Sequence, residues 1–202
     1  ARRRFGSQAS YSPVRSIPDV FYEVDRRKAE YGMVPIENTT EGAVYYTLDT
    51  FMDSEVKICG EEYLPVTHCA MTKAKSLDAV KVVYSHPHVF GQCRRWLDVH
   101  LPNARQEARP STAEAAKAAS SDARTAAIGP ELAARLHGLP VRARGIEDVA
   151  GNMTRFFVLA KSWSPKTGRD KTSFMISLKD RVGALYGMLT PFRKNGINLT
   201  SI

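Results

Sequence analysis

Four short apolar runs, YGMVPI (31–36), VKVVYS (80–85), AAIG (126–129) and RFFVLA (155–160), constrain this chain more than any other feature. Each is rich in small or β-branched apolar residues and bounded by turn formers, so each reads as a buried strand. Around them lie stretches with helical apolar spacing: PDVFYEVDRRKA (18–29), VYYTLDTFM (44–52), VFGQCRRWLDVHL (89–101), TAEAAKAASS (112–121) and PELAARLHG (130–138). Such strand–helix alternation predicts an α/β fold with helices covering a largely parallel sheet. The stretch VKICGEEYLPVTHCAMTK (56–73) holds too many apolar positions for a loop. It reads as a strand pair, or as one strand crossing between two lobes.

The 202 residues suffice for a sizeable core, and 43% hydrophobic with 25% charged content is that of a soluble globular protein. No apolar run approaches the length of a membrane span, and no signal-like segment stands near Ala1. The net charge of +8 invites a nucleic-acid reading, but its location argues against one. Residues 161–202 carry eight basic and two acidic residues, leaving 21 basic and 19 acidic residues in 1–160. The excess therefore belongs to a short tail, where a solvated face is the expected reading. Cys59, Cys69 and Cys93 form no CxxC pair and cannot all pair internally, which fits reduced thiols in a cytoplasmic protein. Asn-x-Thr sequons at Asn38, Asn152 and Asn198 lack the secretory context that glycosylation requires.

After residue 161 the pattern changes. SWSPKTGRD (162–170) has linker composition, and TSFMISL (172–178) alternates like a strand. VGALYGMLTPFRKNG (182–196) carries a helical stripe ending at Gly196, with Pro191 expected to kink it, and INLTSI opens another strand. A βαβ piece of this size cannot close a core alone.

Three junctions share one design, a strand end followed by a polar turn and a helix start: PIENTTEG (35–42), YSHPH (84–88) and RPSTAEAA (109–116). Ser111 and Glu114 read as a capping box, and Pro87 suits the first turn of its helix. Helix N-termini attract carboxylates and phosphates, although a capping hydroxyl by itself is usually only a cap. His86 and His88 have no Cys, Asp or Glu at ligand spacing, so no metal site is expected. GNMTRFFVLA (151–160) poses the sharper question, because Thr154 and Arg155 stand directly before a buried run. They are either an ordinary strand end or a pair aimed into a binding site. Pattern alone stops at an anion-binding α/β protein.

PIENTTEG, YSHPHVFGQC, STAEAA, AAIG and NMTRFFVLA, in this order and at these intervals, resemble prephenate dehydratase. The tail KTSFMISLKDRVGALYGML…NGINL resembles the start of the ACT regulatory domain that follows the catalytic domain in that family. The resemblance implies a two-lobed catalytic domain similar to periplasmic binding proteins over 1–161, with lobes of roughly 1–70 plus 149–161 and of 71–148. A linker at 162–170 and a partial ferredoxin-like βαββαβ ACT domain at 171–202 would follow. Relative to the family the chain reads as truncated at both ends, lacking the opening glycine-rich motif and the ESRP-like stretch after INLTSI. It also has His88 where the family's SHPQ turn has Gln.

The implied activity is a carbon–oxygen lyase converting prephenate to phenylpyruvate in L-phenylalanine biosynthesis, with no metal or organic cofactor. Thr154 would assist the departing hydroxyl, and Arg155 would grip a carboxylate or anchor its turn. Asn38, Thr39, Ser85, Ser111 and Thr112 would supply further donors to substrate. Glu37 would bind substrate, partner Arg155 or simply start a helix; Phe156 would flank the ring or fill the strand core. His68 reads more readily as a satisfied core histidine. Gly183, Ala184 and Leu185 match the effector loop, or Gly183 only starts a helix; Asn198, Leu199 and Thr200 would face a partner subunit's effector site. L-Phenylalanine is the implied allosteric effector, in a homodimer or homotetramer with no nucleic-acid or membrane partner. Two rival readings are arogenate dehydratase and a non-catalytic receptor for small carboxylates.

Overall fold

Hydrogen bonding sorts the strands into two sheets in a computed structural model that describes residues 1–202. In chain order, α1 (Arg2–Phe5), α2 (Ile17–Asp25), β1 (Gly32–Asn38), β2 (Gly42–Ala43) and α3 (Tyr45–Thr50) precede β3 (Lys57–Pro65) and β4 (Cys69–Thr72). Next come β5 (Val82–Ser85), α4 (Pro87–Gln92), α5 (Arg94–His100), β6 (Arg105–Ala108) and α6 (Thr112–Ala119). The chain continues through β7 (Thr125–Gly129), α7 (Glu131–Leu136), β8 (Val141–Arg144), β9 (Met153–Ala160) and α8 (Ala184–Lys194). Residues 1–164 form one compact unit and 165–202 another.

The first sheet, ordered β2-β1-β9-β3, is antiparallel throughout. The second, ordered β6-β5-β7-β4-β8, is parallel where β5 meets β6 and β7, and antiparallel where β4 meets β7 and β8. The expectation of a largely parallel sheet is therefore corrected. Parallel neighbours arise where a helix carries the chain back between consecutive strands, as from β5 to β6 to β7. Strands β4 and β9 instead arrive from the other lobe and run against their neighbours. The 56–73 stretch is two strands, one in each sheet, and the chain crosses between lobes at 66–68 and again at 145–152.

In the first lobe, Phe21 and Val24 of α2 pack on Val34, Phe157 and Leu159, with Phe51 edge-on to Phe21 at 4.9 Å. Gly32 is needed for this approach, since a Cβ there would stand 2.7 Å from the Val20 side chain. The second sheet is covered on both faces. Ala70, Val83, Ala126 and Ile128 meet Val89, Cys93, Leu97 and Leu101 of the α4–α5 layer. Cys69, Met71 and Ala127 meet alanines of α6 and α7. Burial on both sides explains why β7 reads as an unbroken apolar run.

Several boundaries differ from the sequence pattern. The single helix expected over 89–101 breaks at Cys93 into α4 and α5, and the Asp148 carboxylate accepts from Arg95 N at 3.1 Å near the new N-terminus. Ser111 caps α6 by accepting from Glu114 N at 3.1 Å, but the reciprocal half of the expected box is formed instead at α2, between Ser16 and Asp19. In the second unit the expected strands at 172–178 and from residue 197 do not form. A strand needs a neighbour to satisfy its backbone groups, and no strand forms anywhere in this unit. Its one helix, α8, runs through Pro191, and Phe174 packs edge-on against Phe192 at 5.8 Å.

All three cysteines are free thiols. Burial pushes each thiol up, Cys93 to about 12. The folded protein thus keeps a proton that the unfolded chain gives up near the ordinary thiol value of 9.0. The linked stability is fully present below that pH and is lost as pH climbs toward 12. Urea midpoints measured from pH 8 to pH 11 should fall more steeply in wild type than in Cys93→Ala. Parallel curves would contradict the assignment.

Candidate active site

The turn that ends β1 orders itself. Asn38 Oδ1 accepts from Thr40 N at 2.9 Å and from Glu41 N at 3.1 Å, an Asx turn that leaves only the amide nitrogen free to point outward. That nitrogen donates to Thr154 Oγ1 at 2.9 Å, across the register pair Asn38–Thr154 of β1 and β9. Because Asn38 occupies Thr154 as an acceptor, the threonine hydroxyl keeps its own proton to donate, and no acceptor in the protein takes it. Thr39 stitches the same corner together. Its hydroxyl accepts from Met153 N at 2.8 Å and donates to Asn152 Oδ1 at 3.2 Å.

Thr154 and Arg155 do not act as a pair. Adjacent strand residues face opposite sides of a sheet, so Thr154 shares its face with Asn38 and Phe156, whereas Arg155 shares its face with Phe157 and the α2 core. Arg155 sits over the Phe157 ring at 5.1 Å and is held by Glu61 Oε2 at 2.8 Å from Nε and 2.7 Å from Nη2. Glu37 Oε2 adds a contact at 3.6 Å. Burial works against the guanidinium charge, but the hydrogen bond and charge of Glu61 prevail and hold its pKa above the usual value. The expectation that Arg155 grips a substrate carboxylate does not match this placement; the strand pleat turns it into an anchor within the first lobe. Glu37 is its partner.

A cavity of about 330 Å³ lies beside this corner, lined by Thr40, Gly91, Gln92, Arg95, Glu147, Asp148, Val149 and Asn152. Thr154 is not in its lining; Thr40 and Asn152, the residues bonded to Asn38 and Thr39, connect the two. Both lobes contribute. Glu41, on the first-lobe turn, contacts His88 Nδ1 at 2.9 Å and accepts from Gln92 Nε2 at 3.4 Å, both on α4 of the second lobe. His88, whose place in the turn the sequence left open, thus spans the lobes. The two carboxylates of the lining are already engaged, Glu147 by His68 N at 2.9 Å and Asp148 by Arg95 N. Arg95 is the lining's one cation.

The second-lobe hydroxyls are placed less favourably for a ligand. Ser85 is fully buried and donates to Ile128 O at 2.8 Å, ending β5 against β7. Ser111 is occupied as a cap, and Thr112 packs against Gly129, where a Cβ would stand 2.9 Å from the Thr112 Cβ. Gln92 and Arg95 were missed in the sequence. The available signal was helical spacing, since His88 and Gln92 lie four residues apart and so on one face of an otherwise apolar stretch. In the second unit, Gly183 takes a positive φ of 78° directly before α8, Ala184 and Leu185 begin that helix, and Asn198, Leu199 and Thr200 lie beyond its end. The groups expected for an effector therefore flank the two ends of one helix.

The sequence model of the prephenate dehydratase family matches residues 1–163. The bifunctional chorismate mutase/prephenate dehydratase of Aquifex aeolicus is 46% identical over 198 residues, covering 98% of this chain and 55% of that protein. The prephenate dehydratase of Lactococcus lactis subsp. lactis is 35% identical, over 93% of this chain and 69% of its own length. Among solved structures, the prephenate dehydratase of Arthrobacter aurescens in complex with L-Phe superposes with a TM-score of 0.86 at 34% identity, covering 100% of this chain and 69% of that one. The chain thus spans little more than half the length of its bifunctional relatives. By the match over residues 1–163 and the likeness of fold, it belongs to the prephenate dehydratase family.

Proposed function

We propose that residues 1–161 catalyse the decarboxylative dehydration of prephenate to phenylpyruvate, a carbon–oxygen lyase reaction. The observation that carries this reading is the Thr154 hydroxyl, fixed by Asn38 so that its proton is left for a ligand. In the reaction the ring loses a carboxyl group as CO₂ and its hydroxyl as hydroxide, which takes up a proton to leave as water. Aromatisation supplies the driving force, so the protein has to hold the dianion in place and stabilise the departing oxygen. Thr154 donates to that oxygen as it gains negative charge. A threonine hydroxyl is a weak acid, so its role is a positioned hydrogen bond rather than complete proton transfer. Phe156, two residues along the same strand face, flanks the ring, and Asn38 and Thr39 keep the corner rigid. Arg95 and the Gln92 amide face the carboxylates of the substrate from the cavity wall. Ser85, Ser111 and Thr112, expected to meet substrate, instead secure strand and helix ends of the second lobe.

Residues 171–202 are read as the opening of an ACT regulatory domain, after a linker at 162–170, in a homodimer or homotetramer. Its effector is L-phenylalanine, met by Gly183, Ala184 and Leu185 of one subunit and by Asn198, Leu199 and Thr200 of another. The Arthrobacter relative was solved in complex with L-Phe, which supports this reading. Three unpaired cysteines support a reducing, cytoplasmic setting, and no helix is long and apolar enough to cross a membrane.

The purified full-length protein should form phenylpyruvate, followed by absorbance, when given prephenate; turnover of arogenate alone would assign the other dehydratase activity. Thr154→Ala should lower kcat on the order of 10²-fold with KM nearly unchanged, and should cost the fold only the one Asn38 hydrogen bond, about 1 kcal/mol. Arg155→Met should do the reverse, destabilising the fold by roughly 1–3 kcal/mol in urea titrations because the two bonds from the guanidinium to Glu61 are lost in a half-buried site. A stable Arg155→Met with raised KM alone would return Arg155 to the substrate. Calorimetry should detect L-phenylalanine binding to the full-length protein, and a silent titration would remove the effector reading.

A further inference from the structure

His68 lies on the segment that crosses between the lobes and is 5% exposed. A histidine buried for packing alone normally has both ring nitrogens satisfied. Here Nδ1 has no partner, while Nε2 lies 2.8 Å from Gln92 Oε1. The direction of that bond is set from the far side. Glu41 contacts the other end of the Gln92 amide at 3.4 Å, and a carboxylate can only accept. The NH₂ group of Gln92 must therefore face Glu41, which leaves Oε1 toward the imidazole and requires His68 Nε2 to carry the ring proton. The His68 backbone is pinned as well: its N–H donates to Glu147 at 2.9 Å and its carbonyl accepts from Ile146 N at 3.3 Å. Glu147 and Gln92 both line the cavity.

We propose that His68 is a positioning residue for Gln92, holding its amide so that the NH₂ group is presented at the mouth between the lobes. The inference rests on the dehydratase reading for its kinetic consequence, though not for its geometry. Glu41 by itself holds the amide through one long contact of 3.4 Å to the NH₂ group, and the imidazole fixes the opposite end. With the imidazole donating to Oε1, only the donor end faces the cavity, which is the end a carboxylate or departing hydroxyl accepts from. His68 never meets the ligand; it acts through one oxygen atom.

The experiment has two arms. In the first, nitrogen NMR of histidine-labelled wild-type protein should show His68 as the Nε2–H tautomer. An Nδ1–H tautomer would overturn the proposal whether or not the protein turns over prephenate. In the second, prephenate kinetics compare His68→Leu, His68→Gln, Gln92→Ala and the His68→Leu/Gln92→Ala pair. His68→Leu should lower kcat/KM on the order of ten- to a hundredfold. His68→Gln, whose side-chain NH₂ reaches about as far as Nε2, should restore most of that loss. With Gln92 already removed, His68→Leu should cost less than about twofold more, because its only route is gone. Independent, multiplying losses would mean a general structural role and would sink the idea. Should His68→Leu fail to fold, a folded His68→Gln as slow as Gln92→Ala would overturn it equally. A wild type silent toward prephenate would reject the dehydratase reading and leave the tautomer to decide on His68.

Discussion

The ladder between β1 and β9 joins residues 116 positions apart, and the whole second lobe is inserted between its two strands. Closing so long a loop costs conformational entropy before any contact is made, so the pairing must be well secured on both faces. One face is secured by apolar packing, with Val34 against Phe157 and Gly32 opposite Leu159. At the open end the securing groups are polar: Asn38 to Thr154, Thr39 to Asn152 and Met153, and Glu37 with Glu61 to Arg155. The position of the second lobe follows, because 66–68 and 145–152 leave from this end and hydrogen-bond one another through Val66 N to Asn152 O at 2.8 Å.

Thr154 and Arg155 are neighbours in sequence, yet the pleat sends one to the open face and the other toward the core. Arg155 pays for its burial by pairing with Glu61. Thr154 makes one bond as an acceptor and so retains its proton. A donor poised in this way costs no reorganisation when an oxygen nearby gains charge. The inter-lobe cavity completes the arrangement, with Gln92 held between His68 and Glu41 so that one lobe orients a group belonging to the other.

Much of this was legible in the sequence. The four apolar runs mark central strands, and the hydroxyl-rich turns at 38–40 and 111–112 fall at strand and helix ends. Strand direction was not legible, because alternation of apolar residues is the same for a parallel and an antiparallel neighbour. Strands β6 and β8 were missed for a physical reason: both lie at sheet edges, where RQEA and VRAR can keep charged side chains in water. The tail's strand pattern is present in sequence, but a ladder cannot form without a partner. Gln92 escaped notice, and His68 read as a satisfied core histidine, because the two lie 24 residues apart and meet only through packing of the crossing segment on α4; the Nδ1 of His68 is in fact left without a partner. For Arg155 the sequence left gripping a carboxylate and anchoring its turn both open, since a charged residue at the mouth of a strand signals the same way whether it faces a ligand or a neighbouring glutamate; the bonds to Glu61 and Glu37 fit the anchor.

On the proposed dehydratase reading, Asn38 fixes Thr154 as a donor to the departing hydroxyl. That role is tested most directly by a crystal structure of the full-length protein with a non-reacting prephenate analogue that keeps both carboxylates and the ring hydroxyl. That hydroxyl should lie about 2.5–3.0 Å from Thr154 Oγ1, with the Asn38 bond retained and Arg155 still on Glu61. An analogue whose hydroxyl lies away from Thr154, or whose carboxylate has drawn Arg155 off Glu61, would contradict it.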